Sequence, residues 1–330
     1  MLHQTIFLDI IYTIGIKILF GRTTWEVDVM SPEEIKKRLI TNDALFRNMF
    51  VFEQQFDILP EGPHIGAAIA YQDIKELRQS FLGELIDTMV DWVYSSEKYD
   101  DLLQKAMATG KSKGAASSEV RRRAAQKFRK AENNLLAQGQ LGELLLFHFI
   151  QRTKGAVPLL RKMPIATSSD HERFGADAIH YKVEGTQNIL ILGESKAYTS
   201  KYKFSSAFED ALDSILATYE NHHEELNLYL HEDFLDKEMD QIAEKYLTNQ
   251  LENVKMELVS LVLYNETKKV TLNSEQEIKD QIQKIIGERF ASYEKEKIDL
   301  KKHPILGRIT YIVFPIWEFD KLAQEYQDMI

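Results

Sequence analysis

The chain has 330 residues, 44% of them hydrophobic and 28% charged, with a formal net charge of −10. That is the composition of a globular protein with one large or two modest domains. No cysteine is present, which excludes disulfides, thiolate zinc sites and a cysteine nucleophile and fits a reducing, cytoplasmic setting.

In chain order, Thr5 to Phe20 is apolar but holds Asp9 and Lys17 and is short for a membrane span. No basic run precedes it and no small-residue cleavage site follows, so it reads as a pair of buried strands, with no membrane partner. Ser31-Pro32-Glu33-Glu34 is a helix start: a capping serine, proline in the first turn, then acids at the positive end of the dipole. Ile74, Leu77, Phe81, Leu85, Met89 and Val93 recur at helical spacing and predict a helix from Asp73 to Tyr94. Thr109 to Ser118, TGKSKGAASS, lacks an apolar period and reads as a linker. It would close an N-terminal α+β domain over 1–110, available for docking a partner.

Residues 111–130 follow as a basic helix or linker. They carry eight Lys and Arg against Glu119 alone, a net +7, leaving −17 for the rest of the chain. Positive charge concentrated in an acidic protein suits phosphate contacts, and Arg121, Arg122, Arg123 and Lys127 are the expected DNA-binding residues. A solvated helix face, or a surface for an acidic partner, is the plainer reading. The helix is expected to run on to Phe149 through the apolar stripe Leu135, Leu136, Leu141, Leu144, Leu145 and Phe149. Glu143 sits in its most apolar part, where an unpaired carboxylate would be costly, so it either reaches solvent or meets a metal or a lysine. His148 on the same helix reads as structural.

A second domain spans 131–330, and Phe174 to Lys196, FGADAIHYKVEGTQNILILGESK, organises it. Ala176–Val183 and Asn188–Glu194 read as two strands joined by the turn 184–187. Val183 then faces Asn188, and Asp177 faces Glu194, with Cβ atoms roughly 5 Å apart. Two carboxylates so close repel unless a cation lies between them. Lys196 shares the Glu194 face. Two carboxylates and an amine at strand ends describe a divalent-metal site, for Mg²⁺ or Mn²⁺, with a general base or water-positioning amine; the Ser195 carbonyl is a candidate further ligand. His180 has the opposite parity to Asp177 and reads as structural. Asn188 to Gly193 is apolar on both faces, as a strand covered by helices on both sides would be. Lys201 and Lys203 alternate with Tyr198 and Tyr202 beside the site and are expected at the nucleic-acid backbone. A helix follows with Phe204, Phe208, Leu212, Ile215 and Tyr219 on its core face. His222, His223 and His231 lack metalloprotease spacing and read as surface residues. Strands over 258–264 and 309–314 and a helix over 278–293 complete the chain. No GxxxxGK[ST] loop occurs, so ATP hydrolysis would need another chain.

Asp177 followed by Glu194-Ser195-Lys196 resembles the D…ExK core of the PD-(D/E)xK nuclease superfamily, with Ala176 where that pattern often has proline. The wider wording is more specific: QGQLGELLLFHFI, RFGADAIHY, ILILGESKAY and SSAFEDALDSI. Together they resemble the HamA family, the nuclease subunit of the Hachiman antiphage defence system, over roughly the second half of the chain. The resemblance implies an α/β (α+β) fold, a central mixed sheet flanked by helices with a restriction-endonuclease-like core. It also implies Mg²⁺-dependent hydrolysis of DNA phosphodiesters, a superfamily 2 helicase partner, and a helix glutamate, here Glu143, completing the metal site. The alternative is a non-catalytic nucleic-acid-binding or adaptor subunit of a helicase complex.

Overall fold

The computed structural model describes residues 30–128, 134–160, 176–198, 204–229 and 237–330. The apolar stretch 5–20, the loop 161–170, and Lys201 and Lys203 lie outside them. The elements are α1 (Pro32–Arg38), α2 (Asp43–Arg47), β1 (Met49–Gln55), β2 (Pro63–Ile69), β3 (Tyr71–Gln72), β4 (Lys75–Glu76), α3 (Arg78–Asp87), α4 (Met89–Val93), α5 (Ser96–Ala108), α6 (Lys113–Ala125) and α7 (Asn134–Lys154). There follow β5 (Val157–Leu160), β6 (Ala178–Glu184), β7 (Gln187–Tyr198), α8 (Phe204–Tyr229), α9 (Lys237–Leu247), β8 (Val254–Asn265), α10 (Glu275–Ala291), β9 (Ile309–Ile316) and α11 (Phe319–Met329).

One seven-stranded mixed sheet carries the fold, in the order β1-β2-β9-β8-β7-β6-β5. Its centre, β2-β9-β8-β7, is parallel, and antiparallel pairs extend both ends. Alternation along β7 separates the two cores. Leu190 and Leu192 join one with Phe208 and Ile215 of α8 and Ile282 and Phe290 of α10. Ile189 and Ile191 join the other with Leu145 and Phe149 of α7, Phe81 of α3 and Tyr326 of α11. A strand apolar on both faces and covered by helices on both sides is what the NILILG run requires. Gly193 lets α7 close on this strand: an added Cβ would stand 2.8 Å from Ile150 Cδ1 and 3.1 Å from Leu146 Cδ2.

Several sequence expectations shift. The capping box at Ser31 and Glu34 is present. The helix expected from Asp73 starts at Arg78, because Asp73 and Ile74 take positive φ (49° and 55°) as the turn of the β3–β4 ribbon. Ile74 is therefore exposed rather than core. The expected linker is largely helix: Ser112 caps α6, and Ala116, Val120 and Ala124 are buried at four-residue spacing. Small residues that leave no apolar period in composition still pack when they fall on one stripe. α6 ends at Ala125, so it does not run continuously into α7. Strands on both sides of that stretch, β1–β2 and β5–β9, belong to the same sheet.

His64 on β2 links strand to core. Its ring lies 4.7 Å from that of Tyr311, Nδ1 accepts from the Tyr311 amide at 3.3 Å, and Nε2 donates to the Pro60 carbonyl at 3.1 Å.

Candidate active site

The β6–β7 hairpin has the expected register, Val183 opposite Asn188 and Ala178 opposite Gly193. Its loop is two residues, Gly185 and Thr186, with Gly185 at φ 59°, a region glycine enters without strain. Continuing the count sets Asp177 opposite Glu194. His180 is fully buried on the far face, edge-on to Phe147 of α7 at 5.6 Å.

The two strands part at the site. A continued ladder would pair Ala176 with Ser195 through two backbone bonds. Instead the Ser195 amide donates to Asp177 Oδ2 at 2.9 Å, with the Ser195 hydroxyl adding a bond at 3.1 Å. The Ala176 amide donates to Glu225 Oε2 of α8 at 2.5 Å. Both amides thus find carboxylates. By strand alternation the Ser195 carbonyl faces the same side as its amide, where the ladder has ended.

Glu194 points to the α8 face and is 4% exposed. Its Oε1 accepts from Lys196 Nζ at 3.0 Å and Ser214 Oγ at 2.6 Å, and its Oε2 from Thr218 Oγ1 at 3.0 Å. Burial raises its carboxyl pKa, and the Asp177 charge raises it further; Lys196 and Ser214 oppose them. Asp177 is buried too, at 8% exposed, whereas a third of the Lys196 side chain reaches solvent. The site therefore presses two carboxylates together in low dielectric, with one cation at its rim.

Ser195 faces α7, where it meets Gly142: a Cβ there would lie 3.1 Å from Ser195 Oγ. Glu143 is the next residue and only partly buried. Its charge acts on Tyr326 of α11, raising that phenol's pKa after burial, which is the larger cause. Among the described residues no three His, Cys, Asp or Glu side chains gather as a metal-ligand group. The second strand does not end at Glu194 as expected: β7 runs on to Tyr198 beside β8, so Glu194 and Lys196 lie within it, and only its pairing with β6 stops at Gly193. This open end of the hairpin nonetheless suits a hard divalent cation: Asp177 and Glu194 supply oxygens, and Mg²⁺ is commonly held by one or two carboxylates with several waters.

The expected nucleic-acid-binding residues of α6 and of the turn after it are engaged in part. Arg121 pairs with Asp87 at 3.0 Å, and Arg123 pairs with Glu119 at 2.6 Å. Arg122 is exposed, and Lys127 lies over the Tyr94 ring at 5.3 Å. His148 is structural as expected, accepting from the Asn42 amide at 3.2 Å. His222 is not a surface residue: it is 9% exposed and hydrogen-bonded to Tyr246 and the Tyr219 carbonyl, because α8 continues through it and packs on α9.

Sequence reasoning missed Ser214, Thr218 and Glu225. The sequence shows Ser214 and Thr218 only as polar residues at helical spacing with Asp210, beside the apolar stripe of α8, and gives Glu225 no comparable mark.

The fold and this site define a mixed α/β protein with a paired-carboxylate and lysine centre at the open end of a central hairpin. A family model described as HamA matches residues 46–330, and the chain belongs to the HamA family. The match includes β1 and β2 as well as the second half of the chain. HamA is a component of the Hachiman system, and membership gives the chain a role in antiphage defence within a multi-protein system. No curated protein shows a significant match to the chain. Among the described residues no helix is long and apolar enough to cross a membrane.

Proposed function

We propose that the chain is the nuclease of its defence system, hydrolysing DNA phosphodiesters with Mg²⁺ or Mn²⁺ at Asp177, Glu194 and Lys196 and working under the control of a helicase partner. The observation that carries this reading is the burial of Asp177, just before β6, and Glu194, within β7, at the open end of the hairpin, with Lys196 Nζ 3.0 Å from the Glu194 carboxylate. Such a pair is electrostatically unfavourable on its own and becomes favourable with a cation. This PD-(D/E)xK-type assignment gives each residue a role.

Asp177, Glu194 and the Ser195 carbonyl would hold the metal, with Glu143 of α7 completing the set. When bound, the ion supplies Lewis-acid activation of water and neutralises charge on the phosphate. Lys196, a third of whose side chain reaches solvent, orients the attacking water and stabilises developing negative charge. Asp177 holds the Ser195 amide and so fixes the strand end. Arg122 and its neighbours on α6, with Lys201 and Lys203, supply phosphate contacts that weaken with salt. The acidic remainder disfavours bulk DNA, which suits an effector restrained until its partner engages.

Plasmid nicking with Mg²⁺ or Mn²⁺, by the chain alone and with its partner, tests the reading. Metal-dependent cutting stimulated by the partner is expected. Equal cutting with and without the partner would remove the control, and silence in every condition would remove the nuclease. One observation favours the adaptor alternative: every Glu194 oxygen already has protein donors, as a purely structural carboxylate would.

A further inference from the structure

The α8 helix carries a polar stripe that touches both arms of the hairpin. At 100° per residue, Ser214, Thr218 and Glu225 fall within roughly 40° of one another. Asp210, one turn before Ser214, accepts from the Tyr198 hydroxyl at 2.9 Å. β7 and α8 therefore run past each other with Tyr198 against Asp210 and Glu194 against Ser214 and Thr218. Glu225, farther along, takes the Ala176 amide, the residue before Asp177.

We propose that Ser214, Thr218 and Glu225 are positioning residues that set the ligand atoms at the open end of the β6–β7 hairpin. This rests on the metal-site reading above. Ser214 and Thr218 bond different oxygens of Glu194, so together they fix both the rotation and the reach of its carboxylate. Thr218 is 6% exposed and Glu225 also 6%, so neither bond is a solvent contact exchanged at no cost. Glu225 acts on the backbone. In a continued ladder the Ala176 amide would bond the Ser195 carbonyl. Taken by Glu225, it leaves that carbonyl for a ligand. Partners of this kind orient metal-binding oxygens, and their removal typically weakens metal affinity or activity by roughly 10- to 100-fold.

The test is Mn²⁺ binding to the full chain, followed by the loss of free-ion EPR signal. The variants are Ser214→Ala/Thr218→Val, the conservative Ser214→Thr/Thr218→Ser, and Glu225→Leu, each checked for native circular dichroism. Binding weakened about 10-fold or more in the first and third, and restored in the conservative pair, is the expected result. Wild-type affinity in the first and third overturns the positioning role and leaves the metal site standing. No binding by the wild type removes the metal site and this role together. Should Glu225→Leu not fold, the serine–threonine pair decides alone.

Discussion

The Ser195 amide donates to Asp177 Oδ2 at 2.9 Å, across the point where β6 and β7 stop pairing. A backbone donor that would otherwise be buried without a partner is satisfied by a side chain of the site itself. Structure and chemistry are therefore coupled at Asp177. Asp177→Ala leaves that buried donor unpaired, a loss of about 1–3 kcal/mol. Asp177→Asn keeps an acceptor and loses less. Urea denaturation of the two variants measures the difference, and equal stabilities would show the bond to be dispensable.

Gly193 precedes Glu194 and faces α7. An alanine Cβ there would meet Ile150, Ala178 and Leu146 at 2.8–3.1 Å. Overpacking of this kind costs about 1–3 kcal/mol. Gly193→Ala is expected to lower the unfolding free energy by that amount, whereas Gly83→Ala, with open space around its position, is expected to leave it unchanged or raise it.

Much of the site was legible because strand registry is arithmetic. Once Gly185 marks the turn, the opposition of Asp177 and Glu194 follows, and the parity of His180 places it on the other face. The apolar NILILG run likewise announces a strand covered on both sides. The rest was hidden for identifiable reasons. Polar positions 214 and 218 on α8 acquire meaning only when Glu194 is known to lie against them. The segment around Ser112 looked like a linker because alanine and serine give no hydropathy period, yet Ala116, Val120 and Ala124 pack. That β1 and β2 join the same sheet depends on β2 lying beside β9, a parallel pairing across some 240 residues (Ile65 with Ile312) that no local pattern encodes.

Burial lowers the His64 pKa from the ordinary imidazole value of 6.5 to about 4. The ring is held neutral by the fold and titrates freely in the unfolded chain. As pH falls from 6.5 towards 4, the unfolded state binds a proton that the folded state does not, so stability falls over that interval. His64→Gln is expected to flatten this part of the pH–stability curve. Melting temperatures between pH 7 and pH 4 compare the two, and parallel curves would contradict the assignment.

The α6 charges predict salt behaviour. Reversing Arg121, Arg122 and Arg123 to glutamate should weaken DNA binding across all sequences. It should also lower the slope of log K against log salt by up to about 3 if all three touch phosphates. Fluorescence anisotropy over a salt series measures both. Unchanged affinity and slope would return α6 to the role of a solvated face or a protein-docking surface.

The most direct measurement is plasmid nicking in Mg²⁺ or Mn²⁺ by the partner-bound wild type and by Glu194→Ala/Lys196→Ala, with both preparations shown to be folded. The account predicts metal-dependent cutting by the wild type and none by the variant, since the substitutions remove a metal ligand and the water-positioning amine, while the backbone pairing of β7 with β8 does not depend on either side chain. Cutting by the variant at the wild-type rate would contradict it and move the chemistry away from the β6–β7 hairpin.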